Sequence, residues 1–314
     1  MMKIGVDILG GDFAPEATVL GSILAQKELP ADTKLVLIGD EEKIRQIASK
    51  EGFDPSVWNI VHTPDYIGMG EYPSKAFLQK PDATIPKGFK LLKSGAIDGF
   101  ASAGSTGAMM VGAMRVIKSV EGIIRPSIAT MMPTNSDKYS IILDVGINPD
   151  VRPDVLLQYG ILGSLFAHYV LEIENPRVAL LNIGSEEEKG NLLTKAAFTL
   201  FKESNKFNFV GNFEGHDLFS DEKADVIVCD GFVGNVVLKE AEAFYHLIRK
   251  RNIHDTFFDK FNFENHGGTP ILGINSVAVI GHGISNDIAI KNMILNTCHV
   301  VKVGLIDKIK EAFK

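Results

Sequence analysis

Six short glycine-bearing segments punctuate the chain, and each follows an apolar run that reads as a β-strand. They are Leu9-Gly10-Gly11-Asp12, Ala103-Gly104-Ser105-Thr106-Gly107, Asp144-Val145-Gly146-Ile147-Asn148, Asn182-Ile183-Gly184-Ser185, Asp230-Gly231-Phe232-Val233-Gly234-Asn235 and Gly281-His282-Gly283. The fourth continues through Lys189-Gly190-Asn191. Glycine lets a backbone approach a ligand closely, and successive N–H groups at a helix start can hold an anion. In parallel α/β sheets, ligands gather beyond the carboxyl ends of the strands. One such loop is explained by the need for tight turns. Six together, four with Asp or Asn beside the glycine, point to a cleft that handles phosphate.

The side chains around these loops sort by chemistry. Lys189 and Lys195 can place point charges on a phosphate, or can be solvated lysines at a helix start. Asn148, Asn191 and Asn235 are neutral donors that can steady an oxyanion or cap helices. His282, between two glycines, is the candidate to protonate a leaving group, against a structural, hydrogen-bonded histidine. Asp7, Asp12, Asp144 and Asp230 can orient the loops through backbone bonds. The P-loop, dinucleotide-binding, zincin and nucleophile-elbow motifs are missing. The eight histidines show no ligand spacing, so no metal is expected.

The elements that must position these residues alternate along the chain. Strands are expected at 3–9, 35–39, 59–62, 99–103, 177–183, 208–213, 224–229 and 276–280, with a strand pair at 128–132 and 140–145. Helices are expected at 15–26, 41–50, 85–94, 106–118, 154–171, 191–203, 234–251, 286–303 and 305–313. Strands apolar on both faces imply a mostly parallel sheet covered by helices. No repeat or linker divides the chain, so residues 1–314 are expected to form a single domain, with a short helical excursion near 249–266. Residues 63–86, with four prolines, read as a long surface loop beside a site. After Arg249-Lys250-Arg251, helical spacing would put Ile253, Phe257 and Phe261 on one stripe with Phe258 beside it.

With 45% hydrophobic and 23% charged residues among 314, the chain can bury an extensive core. Thirty-two basic against 39 acidic residues give a net charge of -7, which argues against general nucleic-acid binding. Two cysteines, Cys229 and Cys298, exclude a disulfide scaffold and read as reduced core thiols. The first residues carry an acid inside the apolar run, unlike a secretory signal, and residues 155–171 are too short and polar to span a membrane comfortably. A cytoplasmic protein is expected.

Read in order, the loops resemble one family, the bacterial phosphate acyltransferases of phospholipid synthesis. The resemblance runs through Lys3-Ile4-Gly5-Val6-Asp7, Gly10-Gly11-Asp12, Ser102-Ala103-Gly104-Ser105-Thr106-Gly107, Arg125-Pro126, Leu143-Asp144-Val145-Gly146 and Gln158-Tyr159. It continues through Pro176-Arg177-Val178, Leu181-Asn182-Ile183-Gly184, Lys189-Gly190-Asn191, Asp230-Gly231-Phe232, Gly234-Asn235, Gly267-Gly268 and His282-Gly283. It implies a three-layer α/β/α fold like that of isopropylmalate dehydrogenases and phosphotransacetylases, and a homodimer. It also implies acyl carrier protein and inorganic phosphate as substrate partners, no cofactor, and a downstream membrane glycerol-3-phosphate acyltransferase. The segment before Gly267 is shorter than in many relatives, which leaves membrane contact at most peripheral. Under this resemblance His282, Lys189 and Asn235 are the catalytic candidates. Gly10, Gly11, Asp12, Gly104, Ser105, Thr106, Gly107, Asn148, Gly184, Asn191, Lys195, Asp230 and Gly231 are the phosphate-binding candidates. The rivals are a coenzyme A-dependent phosphotransacetylase and a non-catalytic docking scaffold.

Overall fold

The computed structural model describes residues 1–136 and 138–314, apart from the side chain of residue 263. Along the chain run β1 (Met2–Asp7), α1 (Glu16–Glu28), β2 (Thr33–Gly39), α2 (Glu41–Lys50), β3 (Asn59–His62), α3 (Pro73–Gln79), α4 (Thr84–Lys93), β4 (Gly99–Ser102) and α5 (Thr106–Gly112). Then come β5 (Ser127–Pro133), β6 (Tyr139–Leu143), α6 (Pro153–Tyr169), β7 (Arg177–Asn182), α7 (Leu192–Glu203), β8 (Asn208–Glu214), β9 (Val226–Val228), α8 (Gly231–Lys250) and α9 (Thr256–Asp259). The last elements are β10 (Thr269–Leu272), β11 (Val277–Ile280), α10 (Asp287–Lys302) and α11 (Leu305–Ala312). The chain divides into two compact units, Met1–Ser119 with Phe263–Ile306, and Val120–Asn262 with Asp307–Lys314.

In the first unit the strands lie in the order β3-β2-β1-β4-β11-β10. All neighbours are parallel except β10 against β11. Successive residues of β4 show how both faces are covered, since neighbours on a strand point to opposite sides. A Cβ on Gly99 would meet Thr297 and Val301 of α10, while the ring of Phe100 lies against Gly88 of α4. Helices therefore form the outer layers and the strands the middle one. Gly21 of α1 would place a Cβ 2.6 Å from Ile290, so its bare backbone lets α1 and α10 pack closely.

The second unit repeats the plan in the order β5-β6-β9-β7-β8, with β5 antiparallel to β6 and the rest parallel. Every residue of β9 is buried. Gly163 of α6 packs against Val226 and Leu143, and Phe201 of α7 sits edge-on to Phe209 of β8 with ring centroids 5.2 Å apart. Arg177, at the start of β7, forks onto Asp225 through Nε and Nη2 at 3.0 and 2.9 Å.

The expected proline-rich loop at 63–86 instead contains α3 and the start of α4. Pro73 begins α3, where its missing N–H costs nothing. The aromatic segment after α8 is α-helical only over the single turn of α9, with Asp255 capping Phe257 N at 2.8 Å. β10 has no counterpart among the expected strands. Both cysteines are buried and free. Among the described residues, no helix is long and apolar enough to cross a membrane.

Candidate active site

In the first unit, one buried carboxylate ties two of the glycine loops together, and a backbone bond adds a third. Asp7 ends β1, is fully buried, and accepts from Ser102 Oγ at 2.7 Å and Leu9 N at 3.1 Å. Ser102 Oγ in turn accepts from Gly104 N at 3.0 Å. A Cβ on Gly10 would overlap Asp7 Oδ2 and sit 2.7 Å from Gly104 N, so only glycine fits there. Asp12 N donates to Gly283 O at 2.7 Å, which draws in the third loop. The carbonyl of His282 is held by Ser285 N at 3.0 Å and Ser285 Oγ at 2.6 Å. Gly10, Gly11, Asp12, Gly104 and the His282-Gly283 turn are thus neighbours. Burial pushes the Asp7 carboxyl above its ordinary value, opposed by the bonds from Ser102 and the following backbone.

Ser105, Thr106 and Gly107 open α5. Ser105 Oγ accepts from Ala108 N at 3.3 Å, an ordinary N-cap. Thr106 is exposed at the first helical position. A Cβ on Gly107 would overlap Pro73 Cγ. Close packing of α3 on α5 therefore requires glycine at 107, a reason the sequence reading, which weighed anion approach, did not supply.

In the second unit the organising group is Asp144, also fully buried, just beyond β6. It accepts from Asn148 N at 2.7 Å, Asn148 Nδ2 at 2.9 Å, Ile128 N at 3.3 Å and Ile147 N at 3.4 Å. Asn148 Nδ2 also donates to Pro126 O at 2.8 Å, so both amide protons serve to fix the loop. Gly231 N donates to Asn148 O at 2.8 Å, and a Cβ on Gly231 would sit 2.9 Å from Asp144 Oδ2. Asp230 caps α8, accepting from Phe232 N and Val233 N at 3.0 and 2.9 Å. Exposed Asn235 faces Gly146, whose φ of 127° demands glycine.

Burial raises Asp144, and burial with the neighbouring Asp144 charge raises the Tyr159 hydroxyl. That hydroxyl is buried with no hydrogen-bond partner among the described residues. Burial likewise pushes the Cys229 thiol well up, which leaves it a poor nucleophile. Gln158-Tyr159 enters the family resemblance, but the helical pattern alone makes Tyr159 one more apolar position on α6.

The loop after β7 carries Lys189, and Lys195 follows on α7. Asn182 Nδ2 donates to Asn212 Oδ1 at 3.0 Å and Lys189 O at 3.2 Å, holding the loop closed. The Lys189 stem lies over Gly184, where a Cβ would be 2.8 Å from Cγ. Its ammonium is 4.0 Å from Glu186 and its side chain is 46% exposed, so it stays available to a ligand. Asn191 caps α7 by accepting from Thr194 N at 2.9 Å, and Lys195 is exposed on the first turn. Ser105, Asn191 and Asp230 thus turn their acceptor oxygens to helix N–H groups. Asn148 commits both its amide protons, whereas exposed Asn235, the lysines and backbone donors remain open to an anion. Among the described residues, no group of three or more His, Cys, Asp or Glu could hold a metal ion.

The model of the fatty acid synthesis protein family matches residues 2–308. The chain is similar to the phosphate acyltransferase of Dictyoglomus turgidum, with 40% identity covering 99% of this chain and 97% of the relative. It is 39% identical to the phosphate acyltransferase of Dictyoglomus thermophilum, again covering 99% and 97%. A phosphotransacetylase from Streptococcus pyogenes has the same fold, with a TM-score of 0.67 over 96% of this chain and 94% of that one at 19% identity. A family match over nearly all the sequence and full-length relatives near 40% identity leave one assignment: the chain belongs to the fatty acid synthesis protein family and is an enzyme of the phosphate acyltransferase type.

Proposed function

We propose that this enzyme forms acyl phosphate from acyl-[acyl-carrier-protein] and inorganic phosphate, supplying the first steps of phosphatidic acid synthesis. The observation that supports it most is the full-length similarity to proteins named phosphate acyltransferase. The reading takes residues 1–314 as a single functional domain.

A phosphate oxygen attacks the thioester carbonyl carbon. A C–O bond forms, the carbonyl becomes a tetrahedral oxyanion, and the C–S bond then breaks with its electrons on sulfur. The thiolate takes a proton. Neither a serine nor a cysteine nucleophile is needed, which suits the raised thiol of Cys229. The protein must hold the anion, aim it, and stabilise the oxyanion.

Roles are assigned unit by unit. In the first, the backbone N–H groups of Gly11 and of residues 105–107 serve as anion donors, Gly10 and Gly104 shape the loops through their bonds to Asp7 and Ser102, and His282 protonates the departing sulfur. In the second, Lys189 and Lys195 give charge to phosphate beside Gly184 and Asn191. Asn235 donates to the oxyanion, while Asp230, Gly231 and Asn148 set the loop that carries it.

The acyl carrier protein is the donor's carrier, and Arg249-Lys250-Arg251 at the end of α8 is its docking face. The enzyme acts as a cytoplasmic homodimer, which the exposed Phe232 and Leu247 on α8 support. Any membrane contact is peripheral, and a membrane glycerol-3-phosphate acyltransferase consumes the product. The shared fold with a phosphotransacetylase favours a second reading, in which coenzyme A carries the acyl group. Side-by-side assay of both thioesters separates them: the proposal expects a clear preference for the carrier-protein thioester, and faster turnover with the coenzyme A thioester contradicts it.

A further inference from the structure

A cavity of about 580 Å³ lies entirely within the second unit, along α8. That size falls within the ordinary range of small-molecule sites, roughly 300–1,000 Å³. Its walls are almost wholly apolar, and Glu240 is the one charged residue among them. At one end it is lined by Leu181, Val236 and Val237. Leu181 directly precedes Asn182, whose amide closes the lysine-bearing loop, and Val236 directly follows Asn235. Toward the end of α8 it is lined by Ile248 and a cluster of phenylalanine rings. Phe219 meets Phe257 and Phe261 edge-on, with centroids 6.3 and 5.4 Å apart, and Phe257 meets Phe258 at 5.5 Å.

We infer that this cavity holds the hydrocarbon chain of the acyl group, with its inner end at Val236 and its outer end at the aromatic cluster. The inference rests on the acyl-transfer reading above and says where that substrate's tail goes. Three features select a linear alkyl chain. The helix rises 1.5 Å per residue, so Val236 to Ile248 spans about 18 Å, a length that suits an extended long chain rather than a compact ring. The walls hold almost nothing to satisfy hydrogen-bonding groups, so a peptide or sugar would be left with unpaired polar atoms, whereas methylenes need no partner. Leu181 and Val236 in its wall adjoin Asn182 and Asn235 in the chain, and the reacting carbonyl is assigned to that end. Glu240 disfavours a free carboxylate inside the cavity and so favours a neutral thioester with its reacting end at the loops.

Ala241, buried on α8, lines the cavity wall, and Ala241→Phe would fill it. Phe244→Asp is the companion variant. Phe244 is 56% exposed, so a carboxylate is tolerated by the fold there while it charges the wall. Two readouts are taken on the full-length enzyme. One is kcat/KM for hexadecanoyl against butanoyl thioesters. The other is direct binding of a fluorescent dodecanoyl pantetheine thioester without phosphate. For both variants the hexadecanoyl-to-butanoyl ratio should fall at least about tenfold, and probe binding should weaken by a similar factor. An unchanged ratio and unchanged probe binding in folded Phe244→Asp overturn the inference. So does conversion of a wild-type dimer to monomer with the chain-length profile intact, which would give the cavity to a second copy of the chain. Wild-type enzyme that binds the probe and loses it in both variants, yet makes no acyl phosphate, would keep the cavity's ligand and sink the reaction instead.

Discussion

Asp7 and Asp144 are the residues on which the glycine loops hang, one in each unit. Each is buried, each ends or follows a strand, and each is held by short bonds from the loop it shapes. The roles were partly legible: an Asp beside a glycine turn is a local signal. The Asp7–Ser102 bond was not, because its partners are 95 residues apart and only the parallel pairing of β1 with β4 joins them. Gly10 is the sharpest test of this stitching. Gly10→Ala drives a methyl against Asp7 and Gly104 and should cost about 1–3 kcal/mol, read as a lower urea midpoint. An unchanged midpoint would mean the loop has room that the geometry denies. Lys189 is tested by kinetics. Lys189→Ala should raise the phosphate KM roughly tenfold through loss of one charge-assisted contact. An unaltered phosphate dependence would make it a solvated lysine.

At the scale of elements, local chemistry decided what could be read. Residues 41–50 were placed to the residue because Asp40 caps α2, accepting from Glu42 N and Lys43 N at 3.1 and 3.3 Å. α8 starts three residues earlier than its apolar spacing suggests, because Asp230 caps it ahead of Gly231. α3 was hidden by the prolines of the 63–86 stretch, which suggest a loop, although Pro73 here only sets a helix start. The Arg177–Asp225 fork clamps β7 to the start of β9 and is a tertiary feature with no local signature. Burial raises Asp225, but the Arg177 bonds outweigh it and hold the carboxyl below its ordinary value. That stabilisation is present above the unfolded carboxylate pKa, about 3.9, and is lost as pH falls through the folded value. Asp225→Asn should therefore cost about 1.5–3 kcal/mol at neutral pH, with the gap to wild type closing below about pH 4. A pH-independent difference in unfolding free energy would assign the loss to packing.

At the scale of the molecule, repeated β-α alternation made the α/β class legible, and both units carry a largely parallel sheet covered by helices. The division of the chain into two units was not legible, because Phe263–Ile306 returns to the first unit without any linker-like composition. Net charge bears on the proposed carrier-protein partner, expected to be acidic, for a chain at -7. Docking then needs a basic face, and Arg249 is already paired with Asp259 at 3.3 Å. Reversing Arg249, Lys250 and Arg251 to Glu should raise the KM for acyl-carrier protein and flatten its salt dependence, with little change in phosphate KM. If kinetics hold and binding to anionic lipid vesicles is lost, the face belongs to a membrane.

The central claim is that phosphate itself attacks the acyl thioester. Its most direct test follows radiolabelled inorganic phosphate and free carrier-protein thiol in the same reaction. Label should enter acyl phosphate in step with thiol release, and neither should occur without phosphate. Thiol release at an undiminished rate in the absence of phosphate, or an acyl group left covalently on the enzyme, would contradict it.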